Sequence, residues 1–243
     1  MSRAERTQLP GGGEPVNADG QYSLDPLDLA HASTVERAAE ALRQALFAGE
    51  LTPGTPLREV ALADSLGVGR STVREAMALL TAEGLVTRIP NRGVVVTAHD
   101  SDQVKDVMHA RLVLEAAGVR AWSEASTVDR QRVRAAFDTY AQLIDDGAPV
   151  RAVSEAHLHF HISLVALTAS SRLVAVAQSL AAEIRLALAH VDRVRGDVLE
   201  QLGSHRRLLG LLESGDGDAT ITELRAHLSA GESSLLQALD QQA

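Results

Sequence analysis

Cysteine is absent from the 243 residues, which excludes disulfides, thiolate-held zinc, iron–sulfur clusters and thiol catalysis. Lysine occurs once, at Lys105, so a phosphate-binding loop ending in Gly-Lys-Ser/Thr is impossible. Aromatic residues make up 2% of the chain, too few for the stacking platforms that grip single-stranded nucleic acid. No apolar run approaches the ~20 residues that span a bilayer, and the first thirty residues hold no apolar signal core. Together these absences predict a cytoplasmic protein with no membrane partner. The formal net charge of -9 argues against a protein that coats nucleic acid with its whole surface, but leaves room for a local basic face. With 45% hydrophobic and 23% charged residues the composition is that of a folded chain rather than bulk disorder, long enough for one large domain or two small ones.

Residues 1–30 carry Gly11-Gly12-Gly13, three of the seven prolines and little apolar periodicity, and read as a flexible tail. Residues 31–98 form a compact unit. Ser33-Thr34 can cap a helix over 34–48, with Val35, Ala38, Ala39, Leu42, Ala45 and Leu46 on one face. A turn over Leu51–Thr55 follows, then helices over about 58–65 and 70–83. Val86–Ile89 and Val94–Thr97 flank Pro90-Asn91-Arg92-Gly93 and read as a hairpin. From 100 to 241 the pattern is helical throughout, with segments at 101–124, 128–146, 150–169, 172–194, 197–213 and 218–239. Short connections make them antiparallel neighbours. The predicted fold is mainly α: an N-terminal winged helix-turn-helix and a C-terminal antiparallel six-helix bundle.

The stretch from Arg58 to Leu80 places two short helices around Gly67-Val68-Gly69, with Leu62, Leu66, Val68, Val73, Met77 and Leu80 as the contacts that fix their crossing. The second helix opens with Arg70, Ser71, Thr72 and Arg74. Arg70 and Arg74 lie four apart, on one face near the N-terminus, as in a recognition helix entering the major groove. Arginine pairs with guanine O6 and N7, while hydroxyls and the helix N-terminus hold phosphate. Arg58 precedes the first motif helix, and Arg88, Arg92 and Gly93 sit at the wing. Between 31 and 99 seven Arg balance seven Asp/Glu, so the acidic excess sits elsewhere. A solvated charged face remains the simpler alternative for these arginines. Gly49-Glu50-Leu51-Thr52-Pro53-Gly54, Leu62-Ala63-Asp64-Ser65-Leu66-Gly67-Val68, Arg70-Ser71-Thr72-Val73-Arg74-Glu75-Ala76, Glu83-Gly84-Leu85-Val86 and Arg92-Gly93 resemble the GntR family of bacterial transcription regulators over residues 34–97. The resemblance implies that Arg70 and Arg74 read bases or phosphate and that Gly93 lets the wing tip approach DNA. It also implies a serine at Gly69; the glycine removes one hydroxyl near phosphate.

Nine histidines are too many to serve one function, and a single histidine is most often a surface or hydrogen-bonded residue. His157 and His161 project from one helix face. His205 and His227 are equidistant from residue 216, the centre of Gly215-Asp216-Gly217, so an antiparallel hairpin brings them to one height, roughly 16 Å above the turn. Two histidines from one helix and one from each of two others can converge on a metal inside a bundle. His190 fits that height less well, His159 faces elsewhere, and His31 and His99 fall in linkers. Arg111-Leu112-Val113-Leu114-Glu115, Phe160-His161-Ile162-Ser163-Leu164, Ser204-His205-Arg206-Arg207-Leu208 and Arg225-Ala226-His227-Leu228 resemble the FCD ligand-binding domain of FadR-like GntR regulators. That implies a divalent metal on His161, His205 and His227, with a carboxylate effector completing the coordination. The resemblance puts aspartate where this chain has His157; four imidazoles suit Zn²⁺ or Ni²⁺. Arg111 is a candidate partner for the effector carboxylate, or else an ion-pair partner of Glu115. Arg185 is a second candidate, or a solvated helix charge.

The expectation is a dimeric repressor that reads an inverted repeat in double-stranded DNA and answers to a small carboxylate. The alternatives are a direct metal-responsive regulator and, more remotely, a metal-dependent hydrolase. His157-Leu158-His159-Phe160-His161 holds no Glu and so is not a His-Glu-x-x-His site. The chain is therefore expected not to be an enzyme.

Overall fold

A computed structural model describes residues 29–90, 92–188 and 198–240. Residues 1–28 of the expected tail, and His190 with the end of the predicted 172–194 helix, lie outside the described residues. Helix α1 (Leu29–Phe47) begins ahead of the expected Ser33-Thr34 cap. It buries Val35, Ala38, Ala39, Leu42 and Leu46, the i, i+3, i+4, i+7 stripe of an amphipathic helix. Strand β1 (Pro56–Leu57), helix α2 (Glu59–Leu66), helix α3 (Arg70–Ala82), and strands β2 (Val86–Ile89) and β3 (Gly93–Val96) complete the N-terminal lobe. The sheet order is β1-β3-β2, all antiparallel, with Val86 opposite Val96, Ile89 opposite Gly93 and Leu57 opposite Val94. β1 was not expected, because two residues carry no alternation; its proline is tolerated at a sheet edge. Val73, Met77, Leu80, Leu85 and Val96 close the core against α1.

The bundle comprises α4 (Ser101–Ala121), α5 (Thr127–Asp145), α6 (Val150–Ala166), α7 (Ser171–Leu188), α8 (Val198–Ser214) and α9 (Gly217–Asp240). Asp100 and Gln103 form a reciprocal capping box at the start of α4, accepting and returning backbone hydrogen bonds of 2.8 and 2.9 Å. Ser126 caps α5 through the Asp129 amide. Helix α4 packs against α6, α7 and α9, α5 against α6 and α8, and α8 against α9. Phe160, Leu164, Tyr140, Leu208 and Leu224 fill the centre. Gly118 lets α4 and α6 meet backbone to backbone: a Cβ there would lie 1.9 Å from the Leu164 carbonyl oxygen. Helix α7 serves two cores. Ala181 and Ile184 join the bundle core, whereas Leu186 is fully buried in the N-terminal core. No helix among the described residues is long and apolar enough to cross a membrane.

Candidate functional site

Two polar clusters stand out, one exposed and one largely buried. On the N-terminal lobe, Arg70 opens α3 and Arg74 follows one turn later, both exposed. The Arg74 guanidinium donates to both carboxylate oxygens of Glu59 on α2, at 3.1 and 2.7 Å. That contact holds the Glu59 carboxyl below its usual range, with Arg88 and Arg70 adding to the effect. Arg58 caps α2 with its backbone only, and Arg58, Ser71, Arg88, Arg92 and Gly93 are all exposed. Gly93 has φ +87°, a left-handed conformation that glycine adopts without strain. Gly69 caps α3 without a side-chain hydrogen bond, so the first-turn amides of α3 are left to an external acceptor. Thr72 departs from its expected role: it is 5% exposed because two residues beyond Arg70 lie roughly 200° around the helix, facing the core.

In the bundle, His157 and His161 from α6, His205 from α8 and His227 from α9 converge, each offering a nitrogen within 4.8 Å of the others. The Nε2 of His161 lies 3.1 Å from that of His157, 3.0 Å from that of His205 and 3.3 Å from that of His227. Zn–N bonds of 2.0–2.1 Å in a tetrahedron put neighbouring nitrogens about 3.3 Å apart. Burial holds all four below the ordinary histidine range, His205 at about 4 and His227 at about 3, so at neutral pH they are uncharged rings, each with one nitrogen lone pair.

Their partners fix which nitrogen carries the proton. His205 Nδ1 lies 2.6 Å from the Gln201 carbonyl, which only accepts, so Nδ1–H donates and Nε2 is a lone pair. Ser204 Oγ donates to Glu223 at 3.3 Å and therefore accepts from His227 Nδ1 at 3.2 Å. His161 Nδ1 lies 2.6 Å from Glu115 Oε2. The other Glu115 oxygen receives Arg111 Nε at 2.9 Å. A guanidinium does not deprotonate, so Glu115 stays ionised beside it although burial pushes its carboxyl up, and His161 donates from Nδ1. Three lone pairs thus face one another, an arrangement that a cation resolves. The donor set fits a divalent ion held by imidazoles, with a carboxylate, a carbonyl and a hydroxyl orienting the rings from behind.

Arg111 is 6% exposed, and its Nη2 has no hydrogen-bond partner among the described residues. It lines a narrow pocket with Glu115, His161, Leu158, Ala177 and Ala181. Arg111 thus pairs with Glu115 through Nε and leaves Nη2 without a partner among the described residues. Arg185 lies elsewhere. Its guanidinium stacks 4.2 Å from the centroid of Phe47 in α1 and donates to Glu155 at 3.3 Å, so the structure does not bring it to the pocket. Sequence reasoning missed Gln201, Ser204 and Glu223 behind the rings, and Tyr140, whose ring lies 5.2 Å from that of His205 and whose hydroxyl burial pushes up to about 12. Glu115 was visible only as a mate for Arg111; its spacing could not reveal a histidine on another helix.

Residues 34–96 match the gntR family of bacterial regulatory proteins and residues 106–230 match the FCD domain. The chain belongs to the GntR family. It is 30% identical over 196 residues to an HTH-type transcriptional regulator in an unstable DNA locus of Streptomyces ambofaciens, covering 78% of this chain and 79% of that one. It is 28% identical over 184 residues to a Paenarthrobacter nicotinovorans protein named for repression of a D-xylose utilization operon, covering 75% and 80%. A GntR transcriptional regulator from Rhodococcus sp. RHA1 superposes with a TM-score of 0.72 at 29% identity, covering 85% of this chain and 99% of that one. The protein is thus a transcriptional regulator of GntR/FCD type, a family that binds double-stranded DNA, and the hydrolase alternative falls away.

Proposed function

We propose that this GntR regulator is a repressor whose operator affinity is set by a small carboxylate bound beside a divalent metal in the bundle. Residues 31–98 read DNA through Arg58, Arg70, Ser71, Arg74, Arg92 and Gly93. Residues 100–241 hold the effector and form a two-fold dimer, so that paired recognition helices meet an inverted repeat. The observation that carries the reading is the meeting of three forced lone pairs with the unpartnered Arg111 donor. His157, His161, His205 and His227 would hold Zn²⁺ or Ni²⁺, which supplies a Lewis-acidic seat for one end of an acid; Arg111 neutralises and orients that acid.

The test takes DNA selected by the purified chain and titrates it with chelator and with carboxylic acids. Loss of the acid response after chelation, with basal DNA binding intact, supports an effector anchored on metal. Release of DNA by chelator alone supports the second reading, a direct metal sensor. The size of the pocket favours that second reading, since beside His161 it has room for about one water molecule. An acid must therefore push its walls apart. No effect of either reagent would remove the metal from the mechanism.

A further inference from the structure

Helix α7 has two faces half a turn apart. At 100° per residue, Ala177 and Ala181 share one side, and this side lines the pocket beside Arg111 and His161. Ser179, Glu183 and Leu186 share the opposite side, and this side meets the N-terminal lobe. Leu186 is fully buried among the lobe's core residues. Ser179 Oγ lies 3.4 Å from the Glu83 carbonyl, which ends α3. Glu183 packs over Gly84, where an added Cβ would lie 2.9 Å from its carboxylate and would push that side chain aside; Gly84 also has φ +76°, where a side chain is strained. The same carboxylate accepts from His99 Nε2 at 3.2 Å, in the segment joining the two lobes.

We propose that α7 is the coupling element of this regulator: a ligand that parts the pocket walls displaces Ala177 and Ala181, and the same rigid helix moves the C-terminal end of the recognition helix. This inference rests on the reading of the pocket as the effector site. Helix α3, 13 residues long, spans about 20 Å, with Arg70 and Arg74 at one end and the α7 contact at the other. A shift at the held end re-aims the reading end. Interiors pack in discrete arrangements rather than yielding smoothly, so a ligand with unequal affinity for the two arrangements shifts their populations.

Amide hydrogen exchange on the full chain tests the coupling with Zn²⁺ as the probe. Zn²⁺ is expected to change exchange across residues 79–89 in the wild type. That change is lost in Leu186→Ala and in Glu183→Ala, while both keep wild-type Zn²⁺ affinity by calorimetry. Glu183→Ala carries the test if Leu186→Ala fails to fold. Variants that bind and respond as the wild type does would overturn the proposal. Ala177→Leu separates this failure from that of the metal reading, because it crowds the pocket from the α7 side without any ligand. It is expected to alter exchange across 79–89 in metal-free protein, and not when combined with Glu183→Ala. No alteration overturns the coupling whatever Zn²⁺ does; alteration without Zn²⁺ binding upholds the coupling and removes only the metal.

Discussion

The two polar clusters of this chain use the same kinds of charge under opposite conditions. Around α3, Arg70, Arg74 and Arg88 stand in water about Glu59. In the bundle, Arg111 and Glu115 are 6% and 2% exposed against four imidazoles. An ion pair in water is worth little and can be traded for a phosphate. A buried one cannot lose a partner without stranding a charge. The difference teaches how the chain divides its labour: the exposed cluster is free to exchange partners, and the buried one is committed to a single geometry whose facing imidazole nitrogens suit a cation.

The sharpest way to break that contrast is Glu115→Ala. It leaves the Arg111 guanidinium and His161 Nδ1 without their partner and should destabilise the protein by about 3–5 kcal/mol, read by chemical denaturation. A loss near zero would show that the buried cluster behaves like the exposed one. Acid is the next lever, for metal-free protein. The buried histidines have folded pKa values depressed below 6.5, His205 to about 4 and His227 to about 3. The unfolded chain therefore binds more protons below pH 6.5. Their stabilisation is complete above that value and declines as pH falls toward 4 and 3, with His205 alone accounting for up to about 3 kcal/mol. Denaturation midpoints at pH 7.5 and 5 would measure it; flat stability would mean that the rings are already solvated.

On the exposed side, Arg70→Ala or Arg74→Ala should weaken operator binding roughly 10- to 100-fold and relax base preference, with stability unchanged. Full affinity in both variants would displace α3 as the reading helix. Ser204→Ala removes the hydroxyl that holds His227 Nδ1–H and should cost about tenfold in metal affinity, measurable by competition with a coloured chelator. Smallest of all is Glu59→Ala. Its pair with Arg74 lies at the surface, the two side chains 32% and 62% exposed, so the thermal midpoint should barely move; a clear drop would make the DNA face structural.

Much of this was legible in the sequence where the information is local. Arg70 and Arg74 one turn apart, the glycine turn before them, and His205 and His227 equidistant from residue 216 are readable because helix geometry is fixed over short spans. What escaped depends on relations between elements. Thr72 looked like a reader until its angular position placed it in the core. Arg185 looked like a pocket residue because the sequence does not tell which side of α7 meets Phe47. Glu115 reaching His161, and Ser204 reaching His227, depend on the register of one helix against another, which no spacing within either helix encodes. The burial of Leu186 in the other lobe is of the same kind.

Gly118 ties these relations to a single hydrogen atom. With no side chain there, α4 lies against the Leu164 carbonyl of α6, and three residues earlier on α4 the carboxylate of Glu115 reaches His161, three residues before Leu164 on α6, at 2.6 Å. Any larger residue would wedge the two helices apart at this crossing and open the reach between acid and ring. A substitution at position 118 therefore acts at a distance on the imidazole cluster, through the spacing of α4 and α6. A chain without this glycine would have to hold Glu115 and His161 across a wider gap, and the orientation of the His161 ring would no longer be set from α4.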